Sequence, residues 1–395
     1  MRKYPYRSWV LSVPLLLALG TNGSPPKLLA ARPAFGQLAS DNPTRTALDK
    51  AVDKAVGEFF QQDQHVGLSI GVSDNGEAAF YNYGTVSKSK VRLPDRNSIY
   101  EIASITKTFT GSLASRAVLD KKMTLDGDFR AYLPERYQNM EKNGKFITLR
   151  FLAAHRAGLP KNVPDTDALF KNPNFETLPF QLIELEKPYD DAAYLRALHQ
   201  IELRSEPGSE FVYSNFGIKL LGFGLQQVYR QSFGLLLQTE ILAPLGMKRT
   251  SLAVSPQDEP LLVQGYSPSG KPMPYHLLNA GAAGGLYSNA EDLVRYIDWQ
   301  LDESDPTIRQ SHSAIYGNGE TVQDGMIWYM TRKDGERKLW ESGGAFGMAS
   351  QLVLYPESKL GIVLLANDGG FSTQDELSDL AKKIHDARGY ASAHD

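Results

Sequence analysis

A serine hydroxyl is a poor nucleophile at neutral pH and needs a base within hydrogen-bond reach before it can attack a carbonyl. On a helix, residues three apart share a face, so Ser-x-x-Lys sets an amine beside a hydroxyl. The chain holds this spacing three times, at Ser24/Lys27, Ser87/Lys90 and Ser104/Lys107. Pro25 and Pro26 keep the first pair out of a helix, and the second sits in a polar loop. The third opens the segment Ile105 to Leu119, where Phe109, Leu113, Ala114, Ala117 and Val118 make a helix apolar nearly all round, as buried helices are. Ser104 then stands at the N-terminus of a central helix, where free N–H groups and partial positive charge favour a developing oxyanion. Burial pulls Lys107 down from the ordinary lysine value of about 10.4 toward that of a general base. The competing reading, a capping serine with a lysine reaching outward, fits poorly with so apolar a setting. Acyl transfer, with Ser104 as nucleophile and Lys107 as base, is the chemistry this pair suggests.

Other reactive patterns are weaker. Gly67-Leu68-Ser69-Ile70-Gly71 matches a nucleophile elbow, but that motif needs a strand, a sharp turn and then a helix. Ser69 instead falls inside a strand that ends in a hairpin, which makes it structural. The 7 His are scattered without metal spacing, and no His-Glu-x-x-His occurs, so neither a metal nor a cofactor is expected. Cys is absent, which excludes disulfides and thiol nucleophiles. With 42 basic and 45 acidic residues the net charge is −3, and no basic run suited to nucleic acid appears.

The elements that must position Ser104 follow from periodicity. A basic head, Met1-Arg2-Lys3 and Arg7, precedes the apolar run Trp9 to Leu19, too short for a membrane span and typical of an export signal. Cleavage after Gly20 or Gly36 both fit, and an uncleaved anchor is the alternative. Residues 1–36 are therefore read as signal and leader, 37–43 as linker and 44–395 as one catalytic domain. Thr44 to Phe60 has helical apolar spacing; Val66 to Val72 and Ala78 to Gly84 read as strands joined by the hairpin signal Asn75-Gly76. The middle of the chain is mostly helical pattern. Near the end, Met326–Thr331, Arg337–Trp340, Met348–Tyr355 and Leu360–Leu365 read as strands, with turns at Asp334-Gly335, Gly343-Gly344 and Pro356-Glu357, and Thr373–Arg388 as a helix. The expected class is α+β: an antiparallel sheet built from both termini and flanked by helices (about 44–102 and 285–395), with a mostly helical lobe inserted over about 103–284.

The stretch Tyr100-Glu101-Ile102-Ala103-Ser104-Ile105-Thr106-Lys107 resembles the first motif of the serine β-lactamase and penicillin-binding superfamily, nearest its class C and D,D-peptidase branch. The resemblance continues through Ile147-Thr148-Leu149-Arg150-Phe151-Leu152, His155, Gly158-Leu159-Pro160, Pro244-Leu245-Gly246-Met247 and Gly284-Gly285-Leu286-Tyr287-Ser288. Its second motif is Tyr-x-Asn, for which Tyr137/Asn139, Tyr213/Asn215, Tyr287/Asn289 and Tyr316/Asn318 are candidates. Only Tyr213-Ser214-Asn215 has the family's setting of a loop entering a helix, whereas Asn289 reads as a helix cap. The resemblance implies that Tyr213 relays a proton to the leaving group and that Asn215 binds the substrate amide.

The family's third motif, Lys-Thr-Gly or His-x-Gly on a strand lining the site, corresponds to Glu341-Ser342-Gly343-Gly344. The resemblance implies that Gly344 shares the oxyanion hole with Ser104, and that Glu341, Ser342 and Gly343 line the substrate. Glu341 departs from the pattern by replacing a cation with an acid. It either faces the cleft, opposing a substrate carboxylate, or turns aside and leaves Ser342 alone toward the substrate. The expectation is an exported, periplasmic or secreted serine hydrolase, not held in a membrane once its signal is removed. Its substrates would be D-amino-acid peptides, such as cell-wall peptides, or related amides and esters. A carboxylesterase or an amine-end D-aminopeptidase of the same fold is the enzymatic alternative. A penicillin-binding receptor or non-catalytic partner protein is the alternative of another class.

Overall fold

The computed structural model describes residues 38–62, 65–275, 280–317, 323–370 and 372–392. The expected export signal and the Ser24/Lys27 pair lie outside them. Helix α1 (Ala47–Gln62) begins three residues later than its apolar pattern suggests. The reason is a reciprocal cap: Asp49 accepts the Thr46 N–H at 2.9 Å while the Thr46 hydroxyl accepts the Asp49 N–H at 3.0 Å. Strands β1 (Gly67–Asp74) and β2 (Glu77–Gly84) follow, joined at Asn75 and Gly76 with φ of 52° and 83°, the pair of left-handed residues a tight hairpin needs.

Short strand β3 (Tyr100–Glu101) leads into α2 (Thr106–Leu119). Beyond it lie a two-residue pair, β4 (Glu141–Lys142) and β5 (Lys145–Phe146), then α3 (Leu149–Ala153), α4 (Leu178–Glu186), α5 (Asp191–Leu198), α6 (Asn215–Tyr229) and α7 (Phe233–Leu237). The chain returns through β6 (Tyr287–Ser288), α8 (Ala290–Leu301), α9 (Pro306–Ser311), β7 (Gln323–Asp324), β8 (Tyr329–Lys333), β9 (Glu336–Ala345), β10 (Met348–Tyr355), β11 (Leu360–Ala366) and α10 (Thr373–Ser392).

The main sheet runs β2-β1-β11-β10-β9-β8-β7 and is antiparallel throughout. Its closure is the pairing of β1 with β11, from Leu68 opposite Ala366 to Asp74 opposite Leu360, which joins the two ends of the chain. One face is covered by α1 and α10 through Val52, Val56, Phe59, Leu377, Leu380 and Ile384. The other packs on α8 and the helices around α2. Phe109 and Leu113 of α2 are buried, each contributing about 1.5–3 kcal/mol relative to exposure, and Phe109 stacks on Tyr296 of α8 at 3.9 Å. This α+β class is the expected one.

Two strand expectations need correction. Met326, Ile327 and Trp328 are buried but not extended. The Gly325 N–H donates to the Trp328 carbonyl at 2.9 Å and Ile327 has φ of 77°, so the apolar run fills the core as a turn. Gly343-Gly344 is strand, paired with Ser350 and Ala349. The reversal comes later, between Ala345 and Met348, where Gly347 supplies the left-handed φ of 76°.

Candidate active site

Three elements converge on Ser104. The first is the turn that carries it. From β3 the chain passes through Ala103, at φ 44° in the left-handed region, into a single 3₁₀ turn (Ala103–Ile105) that continues as α2. Such a conformation in a non-glycine residue costs about 1–2 kcal/mol, and here packing holds it. Ile102 and Ile105 have no exposed surface, and the Ile102 N–H donates to the Leu286 carbonyl at 3.0 Å. Ser104 itself stays half-buried, with its Oγ 2.7 Å from Lys107 Nζ and 2.8 Å from Tyr213 Oη.

Lys107, one turn into the helix, is fully buried, and its Nζ donates to the Ala283 carbonyl at 2.5 Å. Burial brings it down to about 7; the nearby Glu341 works against that shift and Lys161 adds to it. A lysine so placed exchanges its proton near neutrality. The Ala283 carbonyl aims the amine, a backbone contact that no side-chain motif discloses.

The second element is the loop entering α6. Ser214 caps the helix by accepting the Gly217 N–H at 2.9 Å, and its hydroxyl donates to the Pro160 carbonyl at 2.6 Å. That cap fixes Tyr213 on one side and Asn215, the first helical residue, on the other. Burial, followed by the Glu341 charge, raises Tyr213 above the ordinary tyrosine range, so its phenol keeps its proton. Asn215 Nδ2 donates to Asn162 Oδ1 at 2.9 Å, which brings Asn162, not singled out by the sequence, to the same wall.

The third element is β9. Among the described residues β8 pairs with it only over Glu336 to Trp340, leaving Glu341 to Ala345 paired on the β10 side alone. Gly343 lies against the Ile102 carbonyl and Ser350 Oγ, and Ser350 Oγ donates to that same carbonyl at 3.0 Å. A side chain at 343 would push the strand off the turn that carries Ser104. Gly344 is exposed, with the Gln374 amide at the start of α10 beside it.

Of the two orientations open to Glu341, the structure has it inward. Strand alternation puts it on the face of Leu339 and Gly343, 2% exposed, while Ser342 Oγ donates to Gln351 Oε1 at 2.6 Å. Burial raises Glu341 to about 8, against the pull of Lys107, and Oε2 has no hydrogen-bond partner among the described residues. Burial thus disfavours the anion, which weakens the repulsion a fixed charge would exert on a substrate carboxylate.

The other sequence candidates lie elsewhere. Ser69 is fully buried in β1 with its Oγ 3.0 Å from Tyr100 Oη, and Ser87 Oγ sits 3.1 Å from Tyr266 Oη while Lys90 is exposed. Asn139 Nδ2 bonds the Leu198 and Ile201 carbonyls, and Asn289 caps α8 by accepting the Asp292 N–H at 2.7 Å. Asn318 lies outside the described residues. Among those described, no cluster of His, Asp or Glu is placed to hold a metal, and no helix is long and apolar enough to cross a membrane.

The chain has relatives among known proteins. A family model described as Beta-lactamase matches residues 52–385. A β-lactamase from Lysobacter lactamgenus is 26% identical, covering 85% of this chain and 90% of its own. One from Providencia stuartii is 28% identical over 80% and 86%. Protein flp of Staphylococcus aureus (strain N315) is also 28% identical, over 80% of this chain and 62% of its own. The crystal structure of a β-lactamase/D-alanine carboxypeptidase from Pseudomonas syringae shares the fold, with a TM-score of 0.72 at 21% identity over 86% of this chain and 99% of that one. With the family match running from α1 to α10, the chain belongs to the β-lactamase family, within the superfamily of serine β-lactamases and penicillin-binding proteins, and is a serine hydrolase.

Proposed function

We propose that this protein is an exported acyl-hydrolase that works through an ester on Ser104, on peptides containing D-amino acids or on related amides. The observation that carries the reading is a single hydroxyl held between a buried amine, at 2.7 Å, and a buried phenol, at 2.8 Å. In this scheme Ser104 Oγ attacks the substrate carbonyl and gives its proton to neutral Lys107. The backbone N–H groups of Ser104 and Gly344 take the oxyanion. As the bond to the leaving group breaks, Tyr213 donates its proton to the departing nitrogen or oxygen and is reprotonated from Lys107. Asn215 holds the acyl-side amide, with Ser342 and Gly343 on the strand opposite. Water then attacks the ester, Lys107 again accepts a proton, and Ser104 is restored. Export rests on the basic head and apolar run before residue 20.

Glu341 favours a second reading on the same machinery, a carboxylesterase or an amine-end D-aminopeptidase, because an inward acid suits neutral or cationic substrates better than carboxylates. One experiment tests both. The protein is given D-Ala-D-Ala peptides, D-amino-acid amides and short esters, and trapped acyl groups are located by mass spectrometry. Acylation at Ser104, lost in Ser104→Ala, is the expected result; an adduct on another serine overturns the reading. The preferred substrate chooses between peptidase and esterase.

A further inference from the structure

We propose that His155 is the positioning residue for Tyr213, clamping the backbone on both sides of it so that its phenol stays on Ser104. The inference rests on the proton-donor role given to Tyr213 above. His155 follows Ala154, the C-terminal cap of α3, and its carbonyl accepts the Val212 N–H at 2.8 Å while its Nδ1 accepts the Ser214 N–H at 3.2 Å. These are the residues directly before and after Tyr213. Between the two anchors the imidazole lies under the phenol ring, centroids 4.5 Å apart and planes tilted by 35°. One residue thus fixes the Tyr213 backbone at both neighbours and limits the ring from below.

Two features indicate that the imidazole is kept for this contact. His155 has φ of 54°, a conformation glycine adopts more readily, so the position favours a residue without a side chain. Its Nε2 is buried with no hydrogen-bond partner among the described residues, an unfavourable state that a smaller or apolar residue would avoid. Both penalties are tolerated where Nδ1 is needed. Accepting at Nδ1 requires the tautomer with its proton on Nε2, and burial, aided by Lys107, holds the ring down at about 3 so that it remains neutral. A cationic imidazole would have no lone pair to offer Ser214.

The test uses leaving-group chemistry. p-Nitrophenolate departs without a proton, whereas methoxide needs one from Tyr213. Matched p-nitrophenyl and methyl esters of N-acetyl-D-alanine are compared in the full-length protein. His155→Leu removes the acceptor, so kcat/KM, which reads acylation, should fall at least ~10-fold more on the methyl ester than on the p-nitrophenyl ester, part of the ~100-fold a general acid supplies. His155→Asn, whose Oδ1 can replace Nδ1, should recover most of that difference; His155→Gln, whose amide reaches past that position, should not. The Asn and Gln variants keep the comparison available if His155→Leu melts early. Tyr213→Phe sets the reference. If Tyr213→Phe discriminates between the esters and the His155→Leu and His155→Gln variants lose both equally, the inference about His155 is overturned alone. If Tyr213→Phe itself does not discriminate, the proton-donor role falls and this inference falls with it.

Discussion

Lys107 on α2 and Glu341 on β9 are both buried and interact through their charges, each opposing the shift that burial imposes on the other. Burial takes the lysine down to about 7 and the acid up to about 8, while their mutual attraction works the opposite way on both. A lysine serves as base only when neutral, so kcat/KM should rise with pH through an apparent value near 7 that belongs to the pair. Glu341→Gln removes a group that raises Lys107, and should therefore move this limb to lower pH. Lys107→Ala should cost at least the ~100-fold typical of a general base. A pH–rate profile for a neutral ester in the three proteins provides the check.

Ser69→Ala should leave turnover and fluorophosphonate labelling intact. The hydroxyl is sealed in β1 and bonds Tyr100, so the change should instead lower stability by about 1–3 kcal/mol, the penalty for a buried phenol losing its partner. Urea melts alongside a labelling gel separate the two effects, and labelling that disappears would return Ser69 to the chemistry.

Tyr287→Phe should be mild in kinetics, because Tyr287 Oη donates to Glu101 Oε1 at 3.4 Å and its neighbour Asn289 is occupied in capping α8. Tyr213→Phe should lower kcat by at least ~100-fold on poor leaving groups. Steady-state rates on one amide substrate rank the two, and a larger loss at 287 with folding intact would reverse the assignment.

Glu341→Lys should shift selectivity toward substrates ending in a carboxylate. A unit charge pair at 4 Å is worth about 4 kcal/mol at an effective dielectric of 20, which bounds the change from above. In the parent protein the sign has a pH signature. Glu341 becomes an anion as pH rises through about 8, so the preference for amide over acid substrates should grow across that range and shrink with salt. Ratios of kcat/KM for matched acid and amide substrates at pH 6 and 9 measure it.

Gly343→Ala should destabilise the fold by about 1–3 kcal/mol and slow acylation, since the new methyl meets the Ile102 carbonyl and Ser350 Oγ and must lift β9 from the Ser104 turn. Thermal melting and the burst of acylation report the two parts separately.

The local arrangement of the candidate site was legible because it is written at short range. Ser104 and Lys107 are three residues apart on an apolar helix, Asn75-Gly76 can hardly be other than a hairpin, and Asn289 sits where a helix needs an acceptor. What the chain alone left open depends on contacts between distant segments. Met326 to Trp328 has the apolar run of a strand, yet it lies buried against Gly111 of α2 as a turn closed by the Gly325 N–H on the Trp328 carbonyl. Gly343-Gly344 has the look of a turn, yet pairing with β10 extends it. The carbonyl of Ala283 on Lys107, the contacts of His155 around Tyr213 and the inward direction of Glu341 involve residues 57 to 234 positions apart, brought together by the fold. Spacing along one helix sets which groups are neighbours; only the assembled sheet and helices set the burial that brings a lysine near 7 and a glutamate near 8.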